Sequence, residues 1–161
     1  MCIRDSNTTD AVQWSNITCV NFTANASGIN THHKINLSNL AVQFNMNKTR
    51  TLENLSKDAF NYTFNTTFDG SFRVGTVDIT AGMNCPQAFT FVDDVYQTSS
   101  FREVLMNDNR SALVFASLLE DAKNGYQLGG QDLHDFQMLV AEDGSPGKEA
   151  ASTYYFYVEL E

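Results

Sequence analysis

From Ala59 to Phe68 the chain reads AFNYTFNTTF, and apolar and polar residues take turns along it. Phe60, Tyr62, Phe64 and Phe68 share one parity, while Asn61, Thr63, Asn65 and Thr67 share the other. A period of two marks a strand with one buried face, so the pattern predicts a strand over 59–68. Leu40, Val42, Phe44 and Met46 repeat the alternation, and Val12–Thr23 shows it less cleanly. Ser71–Thr80, Gln87–Val95 and Leu133–Ala141 read as further strands. Thr153–Leu160 reads as the closing strand, apolar on both parities apart from Thr153 and Glu159. The loop EDGSPGKEAAS is expected to join these last two into a C-terminal hairpin.

Two segments carry a different pattern. Ser100 and Glu103 have capping-box spacing, and Phe101, Val104 and Leu105 make one helical stripe, so a short helix is expected between Ser99 and Asn107. Ser111–Ala122 is open to two readings, a helix with Ser111 as its cap and Gly125 as its stop, or a strand that is apolar on both faces and therefore central, and the strand is preferred for the hairpin signal that follows. Asn124-Gly125 beyond it is a hairpin signal, with YQLGG as the returning partner. Strands outnumber helices and turn signals recur about every ten residues, a spacing that suggests a sandwich or barrel. The expected fold is mainly β: a two-sheet antiparallel β-sandwich or barrel with one short α-helix.

Length and composition fit one domain. A chain of 161 residues with 42% hydrophobic content can bury a real core. Met1–Ser6, MCIRDS, resembles translated adaptor sequence and reads as a non-native leader, leaving residues 7–161 as a single domain truncated at its N-terminus. The longest apolar runs fall short of the roughly 18 residues of a membrane helix, so no membrane partner is expected. The net charge of −9 keeps the surface away from phosphate backbones. Cys19 and Cys85 can pair, but two buried free thiols are the commoner outcome for such a count.

Ten Asn-x-Ser/Thr triplets begin at Asn7, Asn16, Asn21, Asn25, Asn36, Asn47, Asn54, Asn61, Asn65 and Asn109. The 16 Asn and the 27 Ser plus Thr would give about three by chance, so the excess has a cause. A strand whose exposed face carries Asn and Thr produces the triplet automatically, because alternate residues share a face. N-glycosylation is the competing cause, and it favours surface loops. Strand alternation is the preferred reading.

Catalytic and metal-binding patterns are weak. The adjacent His32 and His33 point to opposite faces of any strand, and a polar loop is the simpler account. Asp93-Asp94 and Glu142-Asp143-Gly144 lack the alternating oxygen ligands of a calcium loop. There is no Gly-x-Ser-x-Gly elbow, and Cys85 precedes Pro86 with no neighbouring base. Trp14 and the aromatic strands suit core packing better than a carbohydrate platform. No enzyme activity and no cofactor are expected.

Three stretches carry a family resemblance: Leu37–Val74, Asp121–Gly147 and Ser152–Leu160. In pattern and order of strands, corners and loops they resemble the major tail tube proteins of long-tailed bacteriophages. The chain departs from the family after the first strand, where Arg50 and Leu52 stand without a glycine-rich turn. The resemblance implies a virion structural protein assembled in the bacterial host cytoplasm. Its copies would form stacked homo-oligomeric rings, meet other tail or virion proteins, and let DNA pass without specific binding. The polar loops Lys48–Lys57 and Glu142–Ala151, long and set at strand ends, are expected either to reach neighbouring rings, with Lys48, Arg50 and Lys57 pairing with acids such as Glu142 and Asp143 of the next, or simply to be solvated. The alternative is a secreted or cell-surface N-glycosylated β-sandwich adhesion or binding module.

Overall fold

The computed structural model describes residues 2–5, 11–20, 63–92, 95–109, 113–127, 130–139 and 154–157. Among them the protein is mainly β, and every strand pair is antiparallel. The strands in chain order are β1 (Cys2–Asp5), β2 (Thr18–Cys19), β3 (Thr66–Thr67), β4 (Ser71–Val74), β5 (Val77–Thr80), β6 (Pro86–Ala88) and β7 (Phe91–Val92). They continue as β8 (Val95–Tyr96), β9 (Glu103–Asn107), β10 (Leu113–Ser117), β11 (Lys123–Gln127), β12 (Gly130–His134) and β13 (Tyr154–Tyr157).

Seven of these strands form one sheet in the order β13-β1-β10-β9-β6-β3, with β2 also on β9. Its centre is the β9–β10 pair, where Glu103 faces Ser117 and Asn107 faces Leu113. All ten residues of these two strands are buried. The expectation of a central strand at Ser111–Ala122 is therefore met by β10.

Successive side chains alternate between the faces of a sheet, so β9 and β10 build two different interiors. One face carries Val104, Met106, Val114 and Ala116. They join Cys19, Cys85, Phe68, Val12 and Ile17, together with Val74 and Ile79 from the β4–β5 hairpin. That hairpin lies over the sheet as a second layer and gives the fold its sandwich-like character. Its turn needs Gly75, which sits at φ 57°, and a Cβ there would lie 2.9 Å from Cβ of Trp14. The opposite face carries Glu103, Leu105, Asn107, Leu113, Phe115 and Ser117, with the Phe64 ring 6.1 Å from that of Phe115.

β2 and β6 lie on the same side of β9 and divide its length. Cys19 stands opposite Met106 and Gln87 opposite Val104, so continuing β6 backward would bring Cys85 to the place that Cys19 takes. The Val20 amide donates to the Leu105 carbonyl at the changeover. A Cys19–Cys85 disulfide closes this seam, with Cα atoms 4.8 Å apart. The expectation of two free thiols is corrected: residues 66 apart in sequence are brought to adjoining ends of one composite strand.

Several local expectations are also corrected. Ser99–Asn107 is not a helix: Phe101 takes a positive φ of 50° and Glu103–Asn107 is β9. The helical stripe and a strand buried on both faces place the same apolar residues, and the sheet decided between them. Helical backbone among the described residues is confined to the 3-10 turns Trp14–Asn16 and Ala81–Met83 and a turn at Thr63–Phe64. That last turn replaces part of the strand expected over 59–68. The predicted burial survives it, since Phe64 and Phe68 are buried and Asn65 and Thr67 are exposed.

Ser71–Thr80 is a hairpin rather than one strand, and Gln87–Val95 is broken into β6, β7 and the start of β8. Asn124-Gly125 lies inside β11 instead of at a turn. Of the described part of Leu133–Ala141, residues 133–139, only Leu133 and His134 are strand. The expected C-terminal hairpin is replaced by two other pairings, β12 with β11 and β13 with β1. Residues 2–5, read from the sequence as outside the fold, form β1 between β10 and β13. The strand over 40–46 lies outside the described residues.

Candidate functional site

The residues named for contacts between subunits, Lys48, Arg50, Lys57, Glu142 and Asp143, all lie outside the described residues. So do His32, His33, Asp93 and Asp94. Among the described residues, no group of three His, Cys, Asp or Glu side chains is placed to hold a metal ion. Trp14 is partly buried against the apolar core and meets the Tyr157 ring edge-on at 4.9 Å, so it serves packing.

The sheet edges are the first candidate surface. β13 ends the seven-stranded sheet, with β1 on one side and, among the described residues, no strand on the other. The far end is the two-residue β3. Both broad faces of β9 and β10 are covered by the chain itself. An edge strand presents a row of backbone donors and acceptors, which makes it a template for pairing with another chain.

The second candidate is a buried polar cluster on the Glu103 face. Glu103 is completely buried. Its Oε2 accepts the Leu139 amide at 2.6 Å, and its Oε1 has no hydrogen-bond partner among the described residues. Burial pushes its carboxyl up from 4.5 to about 8, with the Leu139 amide pulling the other way. Its register partner Ser117 donates to the Gln137 carbonyl at 2.9 Å. The Gln137 and His134 side chains press on Gly125 of β11, where a Cβ would lie 2.6 Å from Gln137 Cδ and 2.7 Å from His134 Cδ2. Asn124-Gly125 is thus explained by close approach in place of a turn. Sequence reasoning placed Glu103 on the first turn of a helix. The signal that could have found it is an acid set in the run FREVLM, apolar on both parities beyond it.

At one end of the sheet Arg102 ties three elements together. Its guanidinium pairs with Asp69, donates to Gln87 Oε1 at 3.1 Å and lies over the Phe68 ring at 4.5 Å. Outside the sheet, Arg73 and Asp78 form an exposed pair across the β4–β5 hairpin, and Arg73 holds the Asp78 carboxyl below its ordinary value.

The asparagine is described in three of the triplets, at Asn16, Asn65 and Asn109. All three are exposed and none lies in a strand: Asn16 is in a 3-10 turn, Asn65 precedes β3, and Asn109 has a φ of 57°. At Asn16 and Asn109 strand alternation does not produce the triplet, whereas from Phe64 to Phe68 the alternation of burial still sets Asn65 and Thr67 on one exposed face.

Fold and surface define a mainly β, antiparallel, sandwich-like protein with a disulfide-closed core and, among the described residues, β13 as the last strand of its sheet. No protein-family model, curated protein or solved structure matches the chain.

Proposed function

We propose that the protein is a self-assembling structural subunit of the tail-tube type, in which copies join through their sheet edges into rings around a channel. The observation that carries this reading is the β13 edge. Among the described residues both faces of the central strands are covered by the chain itself and no strand pairs with the far side of β13, which supports edge pairing as the contact with another copy. The net charge of −9 suits a lumen that DNA crosses without sticking. Lys48, Arg50 and Lys57 then meet Glu142 and Asp143 of the next ring. Such pairs are worth about 0–1 kcal/mol each, so repetition around the ring matters more than any one contact.

A second reading rests on different observations. The Cys19–Cys85 disulfide suits an oxidising compartment, and exposed Asn16, Asn65 and Asn109 outside strands suit N-glycan acceptors. Both point to a secreted or cell-surface binding module.

One experiment separates them. The chain is produced in bacteria and examined by size-exclusion chromatography and electron microscopy. It is also produced through a eukaryotic secretory pathway and weighed by mass spectrometry before and after glycosidase. Rings or tubes support the tail-tube reading. A monomer that persists at high concentration, together with glycan mass on the secreted material, overturns it in favour of the second.

A further inference from the structure

After β12 ends at His134, residues 135–139 cross the sheet as a strap that is not itself a strand. Hydrogen bonds from the neighbouring elements hold it. The Glu120 amide donates to the Asp135 carbonyl at 2.7 Å and the Ala122 amide to Asp135 Oδ1 at 3.4 Å. Further along, Ser117 Oγ donates to the Gln137 carbonyl and the Leu139 amide donates to Glu103 Oε2. Ser117 and Glu103 are register partners, so the two side chains gripping the far end stand side by side on the central pair of strands. Phe136 and Leu139 remain exposed, so polar ties do much of the holding.

We propose that Glu103 is the release catch of this strap: the strap lies closed while the carboxyl carries a proton and is let go as that proton is lost. The inference stands apart from either reading of function. Its physical basis is the cost of a charge on a fully buried side chain with one oxygen unpartnered. Among the described residues, β10 presents Ser117 to Glu103, β6 presents Ala88, and the strap presents the Leu139 amide, with the Gln137 carbonyl on Ser117; none of these groups titrates. The titratable groups on the adjoining described chain are Glu120 and Asp121 after β10, Lys123 of β11 opposite His134, and His134 and Asp135 at the start of the strap. Arg102, the neighbour in sequence, directs its guanidinium to Asp69, Gln87 and the Phe68 ring.

The direction follows from linkage. The closed strap keeps the carboxyl near 8, and opening returns it to water and to about 4.5. Between those values the closed state binds a proton that the open state does not. The opening equilibrium therefore rises about tenfold per pH unit across that window and levels off above it. The strap is tightest in acid.

The test is hydrogen exchange of the 135–139 peptide in the full chain from pH 5 to 8, corrected for intrinsic exchange rates, in wild type and Glu103→Gln. Glutamine mimics the neutral acid. Wild-type protection is expected to fall about tenfold per pH unit, and Glu103→Gln protection to stay flat. Equal slopes in the two proteins, or a flat wild type, overturn the proposal. A direct carboxyl titration of wild-type Glu103 by NMR holds even if the variant misfolds. A midpoint near 8, with the Leu139 amide shifting alongside it, supports the catch, and a midpoint near 4.5 sinks it.

Discussion

The two faces of the β9–β10 pair are built from the same ten residues by opposite means. On one face Val104, Met106, Val114 and Ala116 meet apolar neighbours and a disulfide. That interior depends on burial and a covalent link, neither of which responds to pH in the neutral range. On the other face Glu103 and Ser117 hold a strap through hydrogen bonds to its backbone. That interior is conditional, because one of its members titrates. The contrast teaches that two faces can be equally buried and still differ in what loosens them. A sealed face fails with temperature and denaturant, whereas a clasped face also answers to proton concentration.

The largest expected effect comes from unsealing the first face. Replacing both cysteines, Cys19→Ala with Cys85→Ala, frees a loop spanning a separation of 66 residues. The chain-entropy model then assigns a loss of about 4 kcal/mol, read as a lower urea midpoint. The pH dependence of the strap should survive in this variant, because Glu103 lies on the other face. If it disappears, the faces are not independent.

A smaller effect is expected on the clasped side. Gly125→Ala drives a Cβ into Gln137 and His134, and overpacking of this kind costs about 1–3 kcal/mol. The loss should appear in chemical denaturation together with faster exchange in 135–139. Normal exchange there would break the link between β11 and the strap.

The smallest effect belongs to Ser117→Ala. It removes one neutral hydrogen bond and costs about 1 kcal/mol. Exchange at 135–139 should rise at every pH without changing its slope, since the titrating group is still present. A changed slope would show that the Glu103 titration depends on its register partner Ser117.

Much of the β architecture was legible in the sequence. The double apolar parity of Ser111–Ala122 marked a central strand, and β10 is one, because a strand covered on both faces has no polar side to show. Phe64 and Phe68 were read as buried and are, although their backbone turns where a strand was expected. Glu103 was misplaced because capping-box spacing is local, whereas its burial depends on Ala88, Ser117 and Leu139, which lie 15, 14 and 36 residues away. Asn124-Gly125 misled for a related reason: the glycine answers to a side-chain approach, which leaves no trace in a turn motif.

That the chain is a β protein carrying net negative charge could be read directly from its residues, since alternation lies in their order and charge in their composition. Three features emerge only from the folded chain: Cys19 and Cys85 share a seam, β13 pairs with β1 instead of β12, and Glu103 lies under a strap. Each of these is a contact between distant residues. Local propensity fixes which segments extend, while partners and burial are chosen by the packing of the whole chain.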